Sequence, residues 1–202
     1  MVRTTDDKEY GMAESYFVGI KLIGTSAEQL ALFQREIATR AKNSYGFEGV
    51  VSHGKSPLHI TLVSPVEGDE TLFVEAVQSV ARRYAPFQTT LTRPGIFIST
   101  RTIATRCEQG QQTLLKIRTE LNRKLRVSPP DMALHASIVR KTTPPESFPL
   151  VCAAADEVFL ENPGRWPLQA PCYGLTLFKK SDVDEPWVDA SYHAFTATEQ
   201  PE

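Results

Sequence analysis

Apolar and polar positions divide this chain into short alternating stretches and longer helical ones. Residues 15–23, SYFVGIKLI, alternate with a period of two, which predicts a strand. Tyr16, Val18, Ile20 and Leu22 form one apolar face, and Phe17, Gly19 and Lys21 form a second, mixed face. Thr25 and Glu28 have the spacing of a capping box. Leu30, Phe33, Ile37 and Ala41 follow on one stripe, so a helix is expected to about residue 44, before Gly46 and Gly49 break it. LHITLV at 58–63 reads as a strand, with a turn at Pro65, Gly68 and Asp69. Leu72, Phe73, Ala76, Val77 and Val80 define the inner face of a helix over about 70–84. Strand-like stretches follow at 87–92, 96–99 and 102–107. Leu114, Ile117, Leu121 and Leu125 place a third helix over about 110–126. LHASIV at 134–139 is another strand, 150–158 a short helix, and 172–180 and 187–196 closing strands. VSPPDMA, KTTPPESFP and ENPGRWPLQAP read as loops.

The order is mixed α and β, and it echoes itself. Strand, helix and strand over 15–63 end in LHITLV; the same order over 102–139 ends in LHASIV. Two similar lobes packed side by side are expected. A length of 202 residues suits one domain, taken as 15–196 between tails at 1–14 and 197–202.

Composition supports a folded chain: 41% of residues are hydrophobic and 23% charged. No run approaches the ~18 apolar residues of a membrane helix. The polar, acidic start resembles neither a signal nor a transit peptide. Cys107, Cys152 and Cys172 are far apart and form no CxxC, which argues against a disulfide framework or a zinc knuckle. A soluble, cytoplasmic monomer without membrane partners is expected.

The net charge of −2 and pI of about 6.1 disfavour a protein that coats long nucleic acid. Residues 101–141 nevertheless hold 9 Lys/Arg against 3 Asp/Glu, and 142–202 hold 3 against 10. The basic stretch reads either as a solvated helix face or as a local field for a small anion such as a phosphate ester.

Chemistry concentrates on two of the four histidines. His59-Ile60-Thr61-Leu62 and His135-Ala136-Ser137-Ile138 share the pattern His-x-(Ser/Thr)-apolar. On a strand, residues two apart face the same side, so each motif presents an imidazole with a hydroxyl. Phosphodiester cleavage uses such a set: one imidazole takes a proton from the attacking group and the other donates one to the departing oxygen. The hydroxyls donate to the phosphate oxygens, where negative charge builds. This chemistry requires no metal or other cofactor.

Other features weigh less. Residues 49–56, GVVSHGKS, match the P-loop pattern formally, which would make the chain a nucleotide kinase. The flanks argue against that, because no buried strand precedes the segment and a strand, not a helix, follows Pro57. Lys55 and His53 read as parts of a glycine-rich loop. Phe17 faces the expected cleft, and Phe97 and Tyr173 are candidates to stack on a base. Arg101, Arg106, Arg140 and Lys179 are candidate phosphate contacts. His193 has Phe195 two residues on in place of a hydroxyl and reads as structural, as do the cysteines.

The chain resembles the 2H phosphoesterase superfamily, which contains 2′-5′ RNA ligase-like proteins and cyclic nucleotide phosphodiesterases. The resemblance is carried by PLHITLVSP around His59, LHASIVR around His135 and LTLFKKS at 175–181. It implies a bilobal α/β (α+β) fold, with antiparallel-rich sheets flanking a central cleft and helices outside. It implies His59 and His135 as the acid/base pair, with Thr61 and Ser137 holding phosphate and Arg140 close behind the second motif. Ser137 keeps the hydroxyl where the family often has threonine. Leu134 stands where a proline often precedes the second histidine, which bears on the subfamily. The implied substrate is a nucleoside or RNA-terminal 2′,3′-cyclic phosphate, or a short 2′-5′-linked oligonucleotide. A nucleotide-binding module with little turnover is the alternative, ahead of the P-loop kinase.

Overall fold

The first strand, β1 (Ser15–Lys21), leads into a long helix, α1 (Gly24–Tyr45), and then into β2 (His59–Glu67). The second helix, α2 (Glu70–Ala81), is followed by β3 (Phe87–Leu91), β4 (Gly95–Phe97) and β5 (Thr102–Arg106). Then come α3 (Gln111–Leu125), β6 (His135–Val139), α4 (Phe148–Glu161), β7 (Leu168–Cys172), β8 (Gly174–Lys180) and β9 (Val188–Ala194). The structure is a computed structural model that describes residues 14–49, 57–129, 133–139, 145–181 and 185–201. Among these, no helix is long and apolar enough to cross a membrane.

Among the described residues, seven strands form one antiparallel sheet in the order β4-β5-β6-β2-β1-β8-β9, and β3 and β7 form a separate ribbon. The large sheet is two half-sheets, β4-β5-β6 and β2-β1-β8-β9. Among the described residues they pair at Ile60 with Ala136. The two motif strands are therefore neighbours at the seam.

Side-chain alternation gives the sheet two unlike faces. Tyr16, Val18, Ile20, Ile60, Leu62, Ala136, Ile138, Leu175 and Leu177 turn to one face and are essentially inaccessible. They join the core formed with Phe33 and Ile37 of α1, Val77 of α2, Leu114 and Ile117 of α3, and Val151 of α4. A large apolar side chain buried this way stabilises the fold by roughly 1.5–3 kcal/mol. The helix-covered face thus forms the main core, and the opposite face carries the motif histidines and hydroxyls together with buried Phe17 and Phe178.

The helices cross between the halves. α1 follows β1 but packs on α4, β6 and β7; α3 follows β5 but packs on α2 and β2. Each half-sheet is backed by a helix that the other half-sheet launched, so neither lobe is a self-contained unit.

The elements depart from expectation in particular places. The Thr25–Glu28 capping box does not form: α1 starts at Gly24 after Ile23, which gives no side-chain cap, and Ser26 Oγ donates to the Ile23 carbonyl at 3.1 Å. β2 runs on through Pro65 because its pairing with β1 shifts register between Val63 and Val66. An irregularity there absorbs a residue without an N–H. Leu72, expected inside, is 61% exposed, while Phe73, Val77 and Val80 are buried. Asp69 caps α2 by accepting the Thr71 N–H at 2.8 Å. The expected strand at 96–99 stops at Phe97 and passes into a 3₁₀ turn over Ile98–Thr100. Part of the expected loop ENPGRWPLQAP is β7, whose Pro171 sits opposite Gln88 of β3. The closing residues also hold to the body: Ala197 N–H donates to the Tyr84 carbonyl and Gln200 Nε2 to the Ala85 carbonyl, at 3.1 and 2.7 Å.

Candidate active site

Ile60 and Ala136 lie opposite each other with both side chains in the core. The residues flanking them must turn to the other face. His59 and Thr61 of β2 and Ser137 and His135 of β6 therefore share the open face. Continuing the antiparallel register sets His59 level with Ser137 and Thr61 level with His135. Each imidazole stands across the seam from the other strand's hydroxyl.

The two imidazoles are held alike. His59 Nδ1 lies 2.7 Å from the Pro57 carbonyl, and His135 Nδ1 lies 2.8 Å from the Ala133 carbonyl. A carbonyl oxygen only accepts, so each Nδ1 carries a hydrogen and donates it. Nε2 is then the nitrogen that takes up or releases a proton in both residues.

Their surroundings differ. His59 is only 8% exposed. Its ring lies 4.7 Å from Phe17 and 5.3 Å from Phe178, which stack on each other at 4.3 Å. Trp187 meets Phe17 edge-on at 4.7 Å. Beside this wall Lys21 is paired with Asp189. His135 instead borders a cavity of about 320 Å³ lined by Phe97, Ser99, Thr100, Thr102 and Arg106. Phe97 lies 6.4 Å from the His135 ring, and the Arg106 guanidinium sits 5.3 Å over Phe97.

Gly19 lets β1 approach this seam. It pairs with Thr61 on one side and Thr176 on the other. A Cβ there would stand 2.7 Å from the Ile60 carbonyl oxygen.

The structure thus brings His59, Thr61, His135, Ser137 and Phe17 to one face. Tyr173 is not part of this set: it lies just before β8, 51% exposed, and its carbonyl accepts the Phe195 N–H. Phe178 and Thr176 show that even positions of β8 turn to the histidine face, and 173 has the other parity. Arg140, His53 and Lys55 lie outside the described residues. Where a P-loop would open a helix after Ser56, the chain enters β2 at His59.

Lys179, another odd position of β8, is bonded behind the sheet to Glu14 and Glu70 at 2.8 and 2.9 Å. Those hydrogen bonds, Glu14's first and Glu70's second, hold its amine above the ordinary lysine range. Four of the nine basic residues of that stretch, Lys116, Arg118, Arg123 and Lys124, lie on α3, which packs behind the sheet on β2 and α2. From that stretch Arg106 lines the cavity. His193 Nε2 lies 3.0 Å from Ser191 Oγ, and burial, then Arg82, pulls its pKa below the usual 6.5. Burial pushes the Cys107 and Cys172 thiols up to about 12 and Cys152 to about 11.

Sequence reasoning missed Phe178, Trp187 and Thr102. Alternation in LTLFKKS flags Phe178 once the pairing with β1 is known; nothing local to Trp187 or Thr102 marks them.

Comparison with known proteins agrees with this architecture. E. coli LigT, solved with NADP+, shares 19% identity at a TM-score of 0.59, over 92% of this chain and 99% of that one. TT0787 of Thermus thermophilus shares 16% identity at 0.64, over 92% and 100%. Usb1 of Kluyveromyces marxianus shares 12% at 0.54, over 89% and 98%. LigT has also been solved with 3′-AMP and with ATP. No curated protein matches the sequence. The profile of the 2'-5' RNA ligase superfamily matches residues 27–183. That match spans most of the chain and both histidine motifs, and the chain belongs to the 2'-5' RNA ligase superfamily, a family of phosphoesterases and ligases.

Proposed function

We propose that this chain is a metal-independent phosphodiesterase acting on 2′,3′-cyclic phosphates of nucleosides or RNA ends, or on short 2′-5′-linked oligonucleotides. The observation that carries the reading is the matched pair of imidazoles. Both are tied through Nδ1 to the carbonyl two residues back, on adjacent strands, with a hydroxyl level with each. In hydrolysis of a cyclic phosphate, Nε2 of one histidine takes a proton from water as its oxygen bonds to phosphorus. Nε2 of the other gives a proton to the ribose oxygen as its bond to phosphorus breaks. Thr61 and Ser137 donate to the non-bridging oxygens as they gain charge. The complexes of LigT with 3′-AMP and ATP support a nucleotide as the ligand class.

The test is turnover, in excess EDTA, of the four nucleoside 2′,3′-cyclic phosphates, a 2′-5′-linked oligoadenylate and a 3′-5′ control. His59→Ala and His135→Ala should each lose ~10²–10⁴-fold, and Thr61→Ala or Ser137→Ala about 10²-fold. Wild-type turnover in both histidine variants would refute the two-histidine mechanism.

A further inference from the structure

The cavity beside His135 is polar in a particular way. Thr102 Oγ1 donates its hydrogen to the Thr100 carbonyl at 3.1 Å, and Thr100 Oγ1 donates to the Phe97 carbonyl at 3.4 Å. A hydroxyl whose hydrogen is committed offers only lone pairs to anything else. These two oxygens therefore accept and do not donate. A phosphate, which also only accepts, finds no partner in them; an N–H donor does. Arg106 lies over the Phe97 ring, so the two make a layered platform of the kind on which bases stack. The volume, about 320 Å³, is at the small end for ligand pockets and suits one nucleoside, not an oligomer.

We propose that this cavity holds the base of the nucleoside bearing the reactive phosphate, stacked on the Phe97–Arg106 platform, and that Thr100 and Thr102 select bases with an exocyclic amino group. Adenine, cytosine and guanine present such a donor. Uracil presents carbonyl oxygens on either side of its one N–H, and those oxygens would meet the threonine lone pairs. The inference rests on the phosphodiesterase reading only for which nucleoside is held, and binding tests it without any chemistry.

The experiment is calorimetric titration of the protein with 3′-AMP, 3′-CMP, 3′-GMP and 3′-UMP, beside turnover of the matching 2′,3′-cyclic phosphates. One hydrogen bond of discrimination is worth about 3- to 10-fold, so the three amino-bearing nucleotides should bind that much more tightly than 3′-UMP. Thr102→Val should reduce the preference by weakening those three and relieving 3′-UMP, and the double change Thr100→Val, Thr102→Val should erase it. Thr102→Ser, which keeps the oxygen, should retain it. Phe97→Ala should weaken all four by about 10-fold, and Phe97→Tyr should restore them. Melting curves establish that each variant is folded. Equal affinity for 3′-UMP in the wild type, a preference undiminished by Thr102→Val or surviving the double change, or no binding of any nucleotide overturns the proposal. Base preference without turnover would sink the hydrolytic reading and leave the pocket standing. Turnover without base preference would do the reverse.

Discussion

Gly19→Ala tests the seam between the half-sheets with a single methyl group. The added carbon would stand 2.7 Å from the Ile60 carbonyl oxygen, inside van der Waals contact. The obstacle is backbone, not the tip of a flexible side chain, so β1 or β2 must move by several tenths of an ångström. Ile60 is the β2 residue that pairs with Ala136 of β6, and it lies between His59 and Thr61. Overpacking of this kind costs roughly 1–3 kcal/mol. The stiffer unfolded chain offsets about 0.4–1 kcal/mol. The net loss of roughly 0–2.5 kcal/mol centres near 1, which lowers Tm by about 2–4 °C per kcal/mol at this chain length. Typical stabilities of about 5–15 kcal/mol keep the variant folded at 25 °C. Turnover should fall further than stability explains, because displacing a catalytic group by about 1 Å costs up to 10²-fold. Gly164→Ala is the control, since a Cβ there meets nothing within 4 Å. Melting curves and kcat/KM on a 2′,3′-cyclic nucleotide measure both effects. If Gly19→Ala matches Gly164→Ala in Tm and in turnover, the close approach has no bearing on the seam and the reasoning fails.

Three further predictions follow from charge and burial. Burial and Arg82 depress the His193 pKa below 6.5, so the unfolded chain binds a proton first as pH falls. The stability that His193 contributes is therefore full above about 6.5 and is lost as pH drops towards its folded value; His193→Gln should flatten urea-derived stability over that window. Cys107 and Cys172, with thiols pushed to about 12 by burial, should resist iodoacetamide at pH 8 in the folded protein and react fully in urea, as mass spectrometry reads directly. Lys179→Ala should leave KM for a cyclic nucleotide within about twofold, because its part-buried amine is held by Glu14 and Glu70 behind the sheet, away from the histidine face; a tenfold rise in KM would place that lysine at the phosphate.

Local patterning carries most of the strands and helices, and it fails where the reason for an element lies elsewhere in the chain. β7 holds Pro171 and reads as loop because its partner, β3, is about 80 residues away and only their pairing makes either one part of a ribbon. Leu72 fits the apolar stripe of α2 by spacing, yet it sits one position beyond the arc that reaches the sheet. Thr25 and Glu28 match a capping box that the backbone does not use, because α1 has already begun at Gly24. The lobes suggested by the repeated strand-helix-strand order exchange their helices, since α1 and α3 each cover the other half's strands. No property of either helix alone encodes that exchange.

The site divides in the same way. His59 with Thr61, and His135 with Ser137, are legible because two residues on one strand share a face whatever the tertiary fold. What distinguishes the two motifs is not legible, because it comes from the strands on either side. Around His59, Phe17 of β1 and Phe178 of β8 close the ring in, with Trp187 against Phe17. Around His135, Phe97 of β4 and Arg106 of β5 leave a cavity of about 320 Å³. The motifs have the same two-residue spacing and the same Nδ1 anchor, so the proton chemistry assigned to them would be equally open to either. If the chain takes a nucleotide as proposed, the asymmetry that would select it lies on the outer strands, where aromatic rings fill one side of the seam and threonine hydroxyls line the other. Substitutions on β4 and β5 should therefore change which nucleotide is taken, while those at the seam change whether it is cleaved.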